Sequence, residues 1–189
     1  MMIIMRYSDQ HKDNVRARIV AATAEAIREQ GVQGVSIPAL MRRVGLTHGA
    51  FYAHFESRDA LVAEAVRAAA TESAEHIFGG AQGKDVLYDA YLSAAHAADP
   101  AHGCVVAALG AEGSRQPVAV RQAFADAARG LLRRVEFHRH RKRPRPDISI
   151  GTLNATSLMV GAVTLARLVD DKALAARILA AARAELVDS

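Results

Sequence analysis

The stretch VGLTHGAFYAHFESRDAL, residues 44–61, decides the fold of the N-terminal third of the chain. It holds three of the nine Phe and Tyr residues in a sequence of 189 residues. Gly45 is suited to end one short helix, and Thr47 to cap another that continues to about His54. Two short helices separated by about three residues have the spacing of a helix-turn-helix.

The residues before this stretch predict the first helix of that pair. Ser36 is a favourable N-cap and Pro38 follows in the first turn, where its missing N–H costs nothing. The apolar residues share one face at helical spacing: Ile37, Leu40, Met41 and Val44. With a single apolar face, this helix must pack on the one predicted over residues 13–30, which Gly31 ends.

A helical wheel at about 100° per residue divides the second short helix into faces. Phe51 and Phe55 fall together and are predicted to face the core, and the opposite face carries Gly49 and Ala53. Two small residues allow the helix backbone to approach another surface closely. A DNA major groove about 12 Å wide fits that outline. The alternative is a small three-helix unit with a tight corner, in which the aromatic residues serve only as core.

Polar and aromatic residues flank the bare face. Tyr52, His48 and His54 are placed to reach the groove edges, and Ala50 lies beside His54 on the wheel. Arg58, at the start of the following helix, adds a positive charge where a phosphate rim would lie. Helix N-termini, with their unpaired N–H groups, offer further phosphate donors.

Residues 16–66 resemble the DNA-binding domain of the TetR family of transcriptional regulators, most specifically through the run GLTHGAFYAHFESRDAL. The resemblance implies a homodimeric repressor on a palindromic operator, released by a small molecule. It also implies which residues lie at the DNA: Ser36, Thr47, Gly49, Tyr52 and His54. Arg58 replaces the family's usual Lys, and Ala53 departs from it, since that position often carries a larger contacting side chain. Base recognition would then rely on thymine methyls and DNA shape.

Composition favours an all-α fold of about nine helices, because alternating Val, Ile and Thr runs are nearly absent. We expect a helix-turn-helix DNA-binding domain at residues 11–56 and a helical ligand-binding and dimerisation domain at residues 57–189. The single Cys104 excludes an internal disulfide and fits a reducing cytoplasm. The opening MMIIM is too short for a signal peptide or a membrane span. The expected location is therefore cytoplasmic.

The net charge of +4 is not by itself a nucleic-acid signal. Residues 133–145 hold seven basic residues and one acidic residue, a net +6, so the rest of the chain is net −2. The tract could add phosphate affinity. The alternative, which we favour, is a solvated connector between two helices.

The region after residue 80 is predicted to hold the effector pocket and the dimer interface. The mixed aromatic and polar residues that could line a pocket are Tyr88, Tyr91, His96, Phe124 and Phe137, each of which could equally be core. The last two helices are rich in small residues and suit an isologous four-helix interface, although packing within one subunit competes for the same side chains.

Other chemistry is weighed against the regulator hypothesis. His138 and His140 have no acidic or cysteine partner at metal-ligand spacing, so no metal site is predicted, and no cofactor is implied. Cys104 lies beside Val105 and Val106 and suits a small buried residue better than a redox sensor. No nucleophile elbow, phosphate loop or acid–base pair is found, so the chain is not predicted to be an enzyme. The alternative function is a helical metabolite-binding or enzymatic protein whose N-terminal unit mediates protein contacts.

Overall fold

A computed structural model describes residues 2–80, 83–140 and 147–188, with side chains from Gln10 onward. Within these ranges the fold is all-α without strands, as predicted, and has nine α-helices and one 3₁₀ helix. The N-terminal elements are α1 (Met2–Gln30), α2 (Ile37–Arg43), the 3₁₀ helix η1 (His48–Ala53) and α3 (Arg58–Phe78). The others are α4 (Lys84–Tyr91), α5 (Ala94–Ala98), α6 (Val105–Gly113), α7 (Val118–Arg139), α8 (Ile150–Leu168) and α9 (Lys172–Asp188).

Local capping fixes the ends of α2 and α3 as the sequence predicts. Ser36 Oγ accepts the N–H of Ala39 at 3.4 Å, and Ser57 Oγ accepts the N–H of Ala60 at 3.1 Å. Gly45 follows α2 with a φ of +75°, which a residue with a side chain rarely adopts. These contacts are short-range, and the sequence therefore indicates them directly.

Two helices differ from the prediction. The first begins at Met2 rather than near residue 13, because no glycine or proline interrupts residues 2–12. The sequence also predicts one helix over residues 85–98, ended by Asp99 and Pro100, but this segment is broken into α4 and α5. Ser93 makes the break, since its Oγ accepts the N–H of His96 at 3.1 Å and caps the second helix.

Two hydrophobic clusters hold the helices together. The first joins α1, α2 and η1 to α3, α6 and α7, through residues such as Ile19, Phe51, Leu61 and Phe124. The second joins the far ends of α3 and α7 to the helices α4, α8 and α9. The apolar core therefore continues across residues 56 and 57, and α3 belongs to both clusters.

The loop between α1 and α2 is held from both sides by charged residues. Glu112 Oε2, near the end of α6, accepts the N–H of Val32 at 2.9 Å. Arg58, the first residue of α3, donates from Nη2 to the carbonyl oxygens of Val32 and Val35. Gly31 precedes Val32 with a φ of +78°, and a Cβ there would lie 2.9 Å from Glu112 Oε1. We call the set of Val32, Arg58 and Glu112 the Val32 clamp.

No helix in the part of the chain that the structure describes is long and apolar enough to cross a membrane.

Replacing Glu112 with Ala is expected to lower the free energy of unfolding by about 1–3 kcal/mol, because the N–H of the buried Val32 loses its acceptor. Glu112→Gln retains an acceptor oxygen and should lose less. Urea denaturation of both variants measures the difference. The matched control is Glu185→Ala, which removes an exposed carboxylate from α9. Equal stability of Glu112→Ala and this control would show that the clamp contributes nothing.

Candidate nucleic-acid interface

The segment between Thr47 and His54 is a 3₁₀ helix and not the α-helix that the wheel assumes. The N–H of Ala50 donates to the carbonyl of Thr47 at 3.1 Å, and that of His54 to the carbonyl of Phe51 at 2.9 Å, both three residues back. A 3₁₀ helix turns about 120° per residue, so residues three apart lie in line. Gly49 is therefore aligned with Tyr52. The helical wheel predicts instead that Gly49 shares a face with Ala53.

The core side of η1 is as the sequence predicts. Phe51 and Phe55 are buried, and their stacked ring centroids lie 5.7 Å apart. The guanidinium of Arg16 lies 4.4 Å from the Phe55 centroid and forms an ion pair with Glu64 at 2.6 Å. The two phenylalanines thus fix η1 against α1 and α3.

The outer side of η1 combines small residues with one large polar tip. Gly49 and Ala53 are both exposed, and a Cβ placed at Gly49 would meet no atom within 4 Å. Tyr52 is 68% exposed, and its ring packs edge-on against Phe51 with centroids 5.2 Å apart. His48 is also exposed, with its ring centroid 6.0 Å from that of Tyr52. A flat surface with a projecting hydroxyl results.

The other predicted contacts surround this surface. Ser36 is exposed at the start of α2, and Thr47 is exposed immediately before η1. Ala50 is half-buried and packs against the first hydrophobic cluster, which limits how much of it a ligand can reach.

His54 directly follows η1, and its side chain is half-buried. Burial lowers its pKa, and the positive charges of Lys12 and Arg16 lower it further. Its Nδ1 is buried and has no hydrogen-bond partner among the described residues. The lowered pKa favours the neutral form of His54 at pH 7.

Lys12 is a candidate that the sequence reasoning missed. It is exposed on α1 and close enough to affect the pKa of His54 at the end of η1. The only signal in the sequence is the spacing of Lys12 and Arg16, which places both on one face of α1. Arg16 is paired with Glu64, whereas Lys12 has no ion pair among the residues that the structure describes.

Arg58 does not stand at the rim as a free charge, contrary to the expectation. Its guanidinium turns inward to the carbonyls of Val32 and Val35 as part of the Val32 clamp, and the side chain is half-buried. Arginine at this position thus orients the loop before α2. Its hydrogen bonds to that loop span 23 and 26 positions, a distance that no local pattern reveals.

The structure places the five predicted pocket residues in two kinds of surroundings. Tyr88, Tyr91, His96 and Phe124 are buried core residues, and Phe137 is 56% exposed. None of the five lines the cavity of about 290 Å³ between α3, α6 and α7. Large aromatic side chains fill space in a helical core, and here their size places four of them inside it.

The basic tract is only partly within the described residues, since 141–146 lie outside them. Arg139 donates to the hydroxyl of Tyr88, and Arg134 lies with its guanidinium 5.9 Å from the Phe78 ring centroid.

In the described ranges, no group of three or more His, Cys, Asp or Glu residues could hold a metal ion.

The region that carries this surface is similar to a known protein family. Residues 19–65 match the family model described as bacterial regulatory proteins, tetR family. A TetR transcriptional regulator from Chloroflexus aurantiacus is similar over 95% of each chain, with a TM-score of 0.75 and 23% identity. A TetR-family regulator from Agrobacterium tumefaciens has a TM-score of 0.73 and 18% identity over 92% of this chain and 98% of its own.

A third similar structure is that of E. coli NemR in its reduced form. Its TM-score is 0.68 at 18% identity, over 93% of this chain and 96% of that one. A comparison with curated proteins finds no match. These three structures share their fold with this protein over almost the whole chain.

The buried His96 is expected to make the protein less stable in acid. Burial lowers its pKa to about 4 from 6.5, against the opposing hydrogen bond to the Tyr91 carbonyl. The unfolded chain therefore binds the proton more readily, and stability is lost as pH falls from about 6.5 toward 4, by about 3 kcal/mol at pH 4.

Urea denaturation at pH 7 and pH 4 tests this effect in the wild type and in His96→Gln. The variant should lose about 3 kcal/mol less between the two pH values than the wild type does. His102→Gln, at an exposed histidine, serves as the matched control. Parallel pH profiles for the wild type and His96→Gln would contradict the assignment.

Proposed function

We propose that this protein is a DNA-binding transcriptional repressor of the TetR type. The support is the match of residues 19–65 to the tetR family model and the regulator fold shared with similar solved structures. It binds a palindromic operator as a homodimer and is released by a small molecule. We propose residues 11–56 as the DNA-binding domain and residues 57–189 as the ligand-binding and dimerisation domain. The observation that carries the proposal is the exposed, nearly bare outer surface of η1.

The small residues allow η1 to enter the major groove. With Gly49 and Ala53 exposed and the phenylalanines behind them buried, the backbone of η1 can approach the base edges closely. Few side chains on this face can form hydrogen bonds to bases. Specificity would then rest on contacts with thymine methyls and on DNA shape.

Phosphate contacts would come from the residues around that surface. Tyr52 presents its hydroxyl, and Ser36, Thr47 and His48 are exposed beside it. The neutral His54 adds a hydrogen bond, and Ala50 contributes only its outer edge. Since Arg58 is engaged within the fold, we propose that Lys12 supplies the positive charge at this rim.

A dimer through α8 and α9 would place two such surfaces on one operator. Four apolar side chains are exposed along α8: Ile150, Leu153, Leu165 and Leu168. Its one charged residue, Arg167, turns inward to the carbonyls of His96 and Ala97 at 2.8 and 3.1 Å. The exposed face of α9 includes the alanines at 173, 176, 180 and 184, which permit close helix packing.

Changing Ala53 to Glu is expected to weaken operator binding by about a hundredfold or more, because a carboxylate would lie against the phosphates lining the groove. Fluorescence anisotropy with DNA from upstream of the chain's own gene measures the change. The matched control is Ala119→Glu, the same substitution at an exposed helical alanine on α7. Wild-type affinity in Ala53→Glu would show that η1 does not face the DNA. No sequence-specific binding by the wild-type dimer at low salt would overturn the repressor itself.

Changing Leu168 to Glu is expected to convert the dimer to a monomer at micromolar concentrations. An isologous interface contains each substitution twice, and burying an unpaired carboxylate is costly. Light scattering coupled to size-exclusion chromatography measures the mass. Val118→Glu is the control, since Val118 is a comparably exposed apolar residue on α7, at 70% against 76%. A Leu168→Glu protein that stays dimeric would place the interface elsewhere.

A further inference from the structure

A cavity of about 290 Å³ lies between α3, α6 and α7. Its inner wall is apolar and includes Ile77, Phe78, Val105 and Leu131. The volume is near the lower end of the range of about 300–1,000 Å³ for sites that bind small molecules. Gly130 lines the cavity and is exposed, and a Cβ built on it would meet no atom within 4 Å.

The charges around this cavity are predominantly positive. Arg67, Arg134 and Asp126 all line it. Asp126 already accepts hydrogen bonds from Arg129 at 2.7 Å and Gln122 at 3.2 Å, and these bonds lower its pKa. It also pairs with Arg67 at 3.6 Å. Arg134 is exposed and has no ion pair among the described residues. The unneutralised charge at the cavity is therefore a guanidinium.

We infer that this cavity binds the effector and that the effector is a small apolar molecule with one anionic group, such as a carboxylate. The apolar body would lie against Phe78 and Leu131, and the anion would pair with Arg134, with Arg67 within reach. A guanidinium and a carboxylate form strong charge-assisted hydrogen bonds. The inference rests on the proposed function, since it identifies the site and chemical class of the effector.

The same helices connect the cavity to the DNA-binding unit. Two of its walls, α3 and α6, bear the two charged residues of the Val32 clamp, Arg58 at the start of α3 and Glu112 near the end of α6. A ligand that moves α3 relative to α6 would therefore move the loop leading into α2. Binding in the cavity can in this way change the position of η1.

Calorimetry with matched probes tests the ligand class on the full-length protein. The probes are benzoate, octanoate and 4-phenylbutyrate, each compared with its uncharged amide, and 4-phenylbutylamine as the cation. At least one carboxylate should bind with a Kd below about 1 mM, and its amide about ten- to a hundredfold more weakly. Tighter binding of the amine, equal binding of an amide, or no binding by any carboxylate would overturn the inference.

Two pairs of variants test the location. Gly130→Leu should occupy part of the cavity and weaken binding of the carboxylate at least tenfold, whereas Gly130→Ala should bind it within a fewfold of wild type. Arg134→Gln should weaken binding about ten- to a hundredfold, and Arg133→Gln, at the exposed neighbouring arginine, should not. Unchanged affinity in both Gly130→Leu and Arg134→Gln would overturn the assignment of the cavity.

Operator binding separates this inference from the proposed function. In anisotropy assays the active carboxylate should release the wild-type protein from DNA, and Gly130→Leu should stay bound in its presence. DNA binding that the carboxylate leaves unchanged would overturn the effector assignment and leave the DNA-binding proposal standing. Absence of DNA binding without any ligand would instead count against the proposed function, whatever the calorimetry shows.

Discussion

The arrangement of the N-terminal unit depends on how the backbone of one buried residue, Val32, is satisfied. Its N–H donates to Glu112 and its carbonyl accepts from Arg58, so both polar groups of this peptide segment have charged partners. A buried backbone group without a partner is costly, which makes this loop conformation the favoured one only when α3 and α6 are in place. The positive φ of Gly31 brings Val32 to the point where both helices reach it.

This constraint explains why α2 and η1 do not form a structurally separate unit. The helix α2 and η1 pack on α1 through apolar contacts, but their approach to the rest of the chain is fixed at the loop. The hydrophobic cluster beneath η1 also extends into α6 and α7, through Leu109 and Phe124. A shift in the helices after residue 57 therefore has a direct route to the exposed outer surface of η1.

The sequence predicted most of what depends on short-range contacts. Ser36, Ser57 and Gly45 mark helix ends through contacts with residues within five positions, and the burial of Phe51 and Phe55 follows from their spacing. The helical wheel predicts η1 less accurately, because it assumes an α-helix. The six residues of η1 form the tighter 3₁₀ helix, in which different residues align. The exposed and buried sides were correct, whereas the neighbours on the exposed side were not.

Long-range contacts account for what the sequence could not predict. From its position in the sequence, Arg58 is predicted to be a free positive charge beside the DNA phosphates. In the folded protein its guanidinium donates to carbonyl oxygens of a loop 23–26 residues away, which the sequence does not reveal. The pocket prediction selected large aromatics, but the cavity is lined chiefly by small and aliphatic residues of α3 and α7 that leave space between them. Large aromatic side chains fill the space around them. Their positions in a sequence therefore predict a packed core better than they predict a cavity.

The basic tract, residues 133–145, also shows that the net charge of a segment does not reveal what its side chains contact. Its net charge of +6 exceeds that of the whole chain, and the sequence favours a solvated connector over added phosphate affinity for it. In the structure, Arg139 donates to the buried Tyr88, and Arg134 stands at the mouth of the cavity. At least part of the positive charge is therefore directed to the helical core and its cavity. On the proposed function, the DNA-binding surface depends far more on the small residues Gly49 and Ala53 than on an excess of arginines.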